Sequence, residues 1–130
     1  MITENIMKIK NLRKEKELIT QEMNEQTRPM KTNLDEIPSI LEKLRKVANQ
    51  KYKDNIKIFV FIVVYMYSPK SCLYEIDKRI RMGVRRRIAK QLCMSSSNVS
   101  LLFGDAKVLF EKHCGFKAET ERVYALLLSE

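Results

Sequence analysis

The chain has 130 residues, 45% of them hydrophobic and 32% charged, with a net charge of +9. That length holds one core and is too short for two ordinary domains plus a linker, while three glycines and three prolines exclude a loop-rich or low-complexity chain. Cys72, Cys93, Cys114 and the single histidine, His113, lack the spacing of a zinc site, and no run approaches the roughly 20 apolar residues of a membrane span.

Residues 2–26 carry a thin stripe of Ile2, Ile6, Ile9, Leu12, Ile19 and Met23 at helical spacing, among Lys and Glu that can pair along the helix. The stripe is too narrow for a core helix and breaks at Lys16. Residues 1–30 therefore read either as a short coiled-coil or partner-binding arm or as a frayed, partly disordered one. The stretch from Thr27 to Asn33, with Pro29 inside it, interrupts the pattern, and residues 31–130 are expected to form a compact all-helical domain. No apolar stretch or cleavage site of a secretory signal stands at the start, which implies a reducing, cytoplasmic setting with three free thiols, expected to be buried.

Asp35 followed by Pro38 predicts a helix beginning near residue 36, with Asp35 as its cap. Ile40, Leu41, Leu44, Val47 and Ala48 form its apolar face, and the pattern resumes at Tyr52, Ile56, Phe59, Val60, Val63 and Tyr67. This is either one long helix or two, broken near Asp54 and Asn55. The run Ile58 to Tyr67 favours a strand on local propensity, yet no second strand exists to satisfy its backbone, so it is expected to be the buried central helix. Ser68 and Pro69 end it, and Leu73, Ile76, Ile80 and Val84 continue at helical spacing, punctuated by Gly83.

Val84 to Phe103 holds the most informative pattern. Ile88, Ala89 and Leu92 share a helical face, Met94 follows, and after three serines Val99, Leu102 and Phe103 give a second apolar face. Ala89, Cys93 and Val99 match the small, small and branched positions that let two helices cross closely, and residues 84–103 resemble a helix-turn-helix DNA-binding motif. The common residue at the Cys93 position is glycine, which enters a left-handed conformation freely where cysteine does not. Beyond the motif, Ala106, Leu109 and Phe110 keep the spacing up to His113, so the second helix either runs past Gly104 or restarts at Asp105. Gly115 reads as a helix stop, and Lys117 to Leu128 as a last helix through Ala118, Glu121, Val123, Tyr124, Leu127 and Leu128.

Residues 70–94 carry eight basic and two acidic side chains, two thirds of the net charge. A cluster that dense repels itself unless an anion is near, and nucleic acid is the expected polyanion. Arg79, Arg81, Arg85, Arg86, Arg87 and Lys90 are the candidate phosphate contacts, although Arg85 to Arg87 span too wide an arc for all three to face one way. Ser95, Ser96 and Ser97 are natural caps for the second helix, whose outward Ser96, Ser97, Asn98, Ser100 and Leu101 are the candidate base contacts. Asn98 either pairs with adenine or satisfies local backbone, and Leu101 meets either a thymine methyl or another protein.

The expectation is thus an all-α protein, a small helical domain containing a helix-turn-helix and preceded by a helical arm. It would bind double-stranded DNA as a transcriptional regulator or DNA-organising factor, as a homodimer or with a partner protein, without cofactor, metal or membrane. The alternative is a non-enzymatic helical adaptor whose basic face meets an acidic protein, or nucleic acid without sequence readout. RNA binding ranks third, because the aromatic residues fall on core faces. No catalytic role is expected: there is no phosphate-binding glycine loop, and His113 and Cys114 would project apart on a helix.

Overall fold

The computed structural model of the chain describes residues 1–26, 28–72, 80 and 82–129. Among these it forms six α-helices and no strand: α1 (Ile2–Gln26), α2 (Ile37–Val47), α3 (Asn55–Tyr67), α4 (Met82–Leu92), α5 (Ser96–Lys112) and α6 (Cys114–Ser129). One-turn 3-10 segments, Leu34–Glu36 and Pro69–Cys72, lead into α2 and follow α3. Among the described residues, no helix is long and apolar enough to cross a membrane.

The centre is α3. Six of its thirteen residues are β-branched, which costs about 0.5 kcal/mol each in a helix. Against that, nine of its side chains are buried, and each full burial contributes roughly 1.5–3 kcal/mol. Burial wins by a wide margin, and it is available because α2, α4, α5 and α6 all pack on α3. Phe61 stacks on Phe110 of α5 with ring centroids 4.6 Å apart, and Tyr65 meets Tyr124 of α6 edge-on at 5.6 Å. The expected helix over Ile58 to Tyr67 is therefore present, and it is separate from α2. Ile56, placed on the apolar face by its spacing, is instead exposed.

Two expected helix boundaries are corrected. Asp35 does not cap the first domain helix. Asn33 does so for the preceding 3-10 turn, its Oδ1 accepting the Asp35 N–H at 3.0 Å, while the Asp35 carboxylate turns to Arg87. Gly115 does not end a helix either. α5 runs through Gly104 to Lys112, and His113 makes the break in an extended conformation, with its Nδ1 accepting the Phe116 N–H at 3.0 Å. The imidazole thereby caps α6, which starts three residues earlier than the apolar spacing suggests and takes Gly115 into its first turn.

The thiols also depart from expectation. Cys93 and Cys114 are exposed. Cys72 is the one drawn inward, and its desolvation pushes the thiol up to about 12, which keeps it protonated and unreactive. The expected helix through Leu73 and Ile76 lies outside the described residues; Ile80 is buried in the core.

The segment joining α1 to the domain is fastened at its far end. The N–H groups of Met30 and Lys31 both donate to the Met66 carbonyl, at 3.0 and 3.1 Å, and the buried Tyr67 hydroxyl donates to the Asn33 carbonyl at 2.7 Å. By contrast every side chain from Met1 to Glu25 is exposed.

Candidate nucleic-acid interface

α4 and α5 are joined by three residues, Cys93 to Ser95, and the hydrogen bonds of this turn explain its shape. Cys93 has φ +56°, the only non-glycine residue in the left-handed region among those described. The Met94 N–H reaches back to the Ala89 carbonyl at 3.0 Å, and the Cys93 N–H to the Lys90 carbonyl at 3.4 Å. This six-to-one and five-to-two pair defines a Schellman ending, which requires a left-handed residue at the Cys93 position. Ser95 then starts α5, its hydroxyl accepting the Asn98 N–H at 3.1 Å. Ending one helix and beginning the next within three residues fixes the angle between them.

Below the turn the helices are locked by packing. Ile88, Ala89, Val99 and Phe103 are buried, and Leu92 and Met94 lie against the same core. The small side chain of Ala89 allows the crossing, and Val99 fills the gap beside it. Cysteine in a left-handed conformation costs about 1–2 kcal/mol relative to the right-handed form. A glycine there removes that strain but gives back about 0.4–1 kcal/mol of unfolded-state entropy. Cys93→Gly is therefore expected to stabilise the chain by about 1 kcal/mol, read as a higher urea midpoint with an unchanged slope. A lower midpoint would mean that the residue is not held left-handed.

The basic side chains divide into two groups. Arg85 is half-buried and donates from Nη1 to Ser100 Oγ at 3.1 Å, bracing α4 to α5, while its Nε finds no acceptor among the described residues. Arg87 pairs with Asp35 at 3.2 Å, a surface contact worth about 0–1 kcal/mol. Arg86 and Lys90 are exposed, four residues apart on the face of α4 opposite its buried Val84 and Ile88. Arg79 and Arg81 lie outside the described residues.

On α5, Ser97, Asn98 and Leu101 are exposed, Leu101 at 68%, while Ser96 and Ser100 are half-buried. The Asn98 amide nitrogen sits 3.7 Å from Met94 Sδ, a weak contact. With the Asn98 N–H taken by Ser95, the first-turn amides of Ser96 and Ser97 have no acceptor within α5 and stand at the positive end of its dipole. Farther along the same face comes Asp105, whose side chain is 65% exposed and stands 3.9 Å from Lys57. An acidic group there repels phosphate, so the cationic and polar surface is confined to the first two turns of α5 and the adjoining face of α4.

Sequence spacing gives the two helices but not the bonds between them. The Arg85 to Ser100 brace joins residues fifteen apart that no periodicity pairs, and the Arg45 side chain reaching the Gln91 carbonyl at 3.5 Å spans 46 residues. The chain matches no protein-family profile, no curated protein and no solved structure.

Proposed function

We propose that the chain binds double-stranded DNA through α4 and α5 as a helix-turn-helix and serves as a transcriptional regulator or DNA-organising factor. The supporting observation is the Cys93 turn, which places the polar first turns of α5 beside Arg86 and Lys90 of α4, two exposed cations with no ion-pair partner among the described residues. In this reading α5 enters the major groove by its N-terminal end, and Arg86, Lys90 and the free amides of Ser96 and Ser97 meet phosphates. Ser97, Asn98 and Leu101 face the bases, with Asn98 suited to adenine and Leu101 to a thymine methyl. Ser100 and Arg85 serve the helix crossing instead. One such helix reads only a few base pairs, so two copies on two half-sites form the functional unit.

Phosphate and base contacts have different physics, which makes the reading testable. Replacing both Arg86 and Lys90 by alanine is expected to weaken binding to all duplexes alike and to lower the salt slope by about 2, roughly 1 per lost phosphate contact. Asn98→Ala should leave that slope intact and cost about 1–3 kcal/mol at a selected site, with little change on random DNA. Titration of fluorescent duplexes across a salt series reads both. Absence of wild-type binding to duplex DNA at low salt, where the electrostatic attraction is strongest, would sink the proposal and assign the basic face to an acidic protein partner.

A further inference from the structure

The arm α1 presents a helix of 25 residues with large apolar side chains standing in solvent: Ile2 is 78% exposed, Ile9 52%, Leu12 64% and Ile19 58%. A helix of this length, mostly polar on its other faces, is marginal alone in water and draws its stability from covering its apolar side. The stripe also shows what covers it, because its charges are segregated. Residues 1–14 hold Lys8, Lys10, Arg13 and Lys14 against Glu4, and residues 15–26 hold Glu15, Glu17, Glu22 and Glu25 against Lys16. Glu22 and Glu25 lie at the negative end of the helix dipole, where carboxylates are disfavoured, so the helix gains nothing by itself from this order. A second helix running the opposite way gains from it where the basic and acidic halves meet.

We propose that two copies of the chain associate by antiparallel pairing of their α1 helices. Heptad spacing puts Ile2, Ile9 and Lys16 at one seam position and Asn5, Leu12 and Ile19 at the other. In antiparallel pairs the two kinds of position face each other. One register matches the seam from Ile2 to Ile19: Ile2 meets Ile19 of the second copy, Ile9 meets Leu12, and the polar Asn5 and Lys16 meet each other. The same register brings Lys8 alongside Glu15, twice by symmetry, and lays the stem of Arg13 over Ile6. Parallel pairing fails on both counts. It sets Lys16 against Lys16 inside the seam and Lys8 beside Arg13, and it aligns like-charged halves throughout. The pairing stands independently of the DNA reading, since it concerns the protein alone.

The test uses the full chain without DNA. Sedimentation should show a monomer and dimer in equilibrium. The dimer should weaken about fivefold from low to high salt as the two Lys8 and Glu15 contacts are screened. Carbodiimide, which joins an amine to a carboxylate with loss of water and no spacer, should link Lys8 to Glu15 within the dimer band. On one helix these residues are two turns apart and out of its reach. Leu12→Asp should raise the dissociation constant more than about 100-fold while the thermal unfolding of the domain stays in place. A chain that remains monomeric at every concentration, a dimer that tightens with salt, one that survives Leu12→Asp, or a dimer band lacking links between the basic and acidic halves would each overturn the proposal. Duplex binding by the Leu12→Asp monomer tests the DNA reading separately.

Discussion

Replacement of Val63 by aspartate is expected to abolish the folded state. Val63 lies fully buried in the middle of α3, the helix on which α2, α4, α5 and α6 all pack. A carboxylate there either stays charged without a partner or takes up a proton and remains a desolvated polar group. The first costs several kcal/mol and the second a few, against a total stability of about 5–15 kcal/mol for a domain of this size. Tyr65→Asp supplies the comparison on the same helix, because Tyr65 is 39% exposed and its loss removes chiefly the edge-on contact with Tyr124. Far-UV circular dichroism and urea unfolding should show the Val63 variant largely without structure and the Tyr65 variant folded, weakened by about 1 kcal/mol. A cooperative transition near the wild-type midpoint for Val63→Asp would mean that α3 is not the core.

Phe116→Ala is expected to have the next largest effect. Phe116 is fully buried, its N–H is held by His113, and its carbonyl accepts the Thr120 hydroxyl at 2.8 Å, so the ring anchors the first turn of α6. Removing a buried phenyl ring costs about 3–5 kcal/mol through lost transfer energy and the cavity left behind. Thermal unfolding should fall by roughly 10–15 °C. Leu128→Ala on the same helix, where the side chain is 54% exposed, should change stability by no more than about 0.5 kcal/mol. Equal losses at the two positions would contradict the burial that separates them.

These two residues differ in how visible they are in the sequence. Val63 sits in an unbroken apolar run, and the absence of a partner strand makes that run a helix wherever it is placed. Phe116 stands between Gly115 and Lys117, in a stretch that reads as a helix stop. Only a histidine acting as a cap extends the helix across it, and the capping role of an imidazole depends on where the chain turns. The same contrast holds in the motif. Ala89, Val99 and Phe103 are legible by spacing because a helix crossing demands a small residue opposite a branched one. Arg85 and Arg87 look equivalent to Arg86 in sequence, and the neighbours that tie them up, Ser100 and Asp35, come from other elements.

By itself the sequence determined the quantities that depend on neighbours along the chain: the all-helical class, the polar first helix, the central helix, the apolar spacing at Ala89 and Val99, and the uneven charge. Helical periodicity and local charge density are short-range properties, and they survive whatever the rest of the chain does. The tertiary structure alone decided which cations of α4 lack a partner among the described residues, which cysteine is drawn inward, where α5 gives way to α6, and that Cys93 takes the left-handed conformation. Each of these is settled by groups that meet only after folding, where a hydrogen bond or a desolvated surface outweighs the few tenths of a kcal/mol by which local propensities differ.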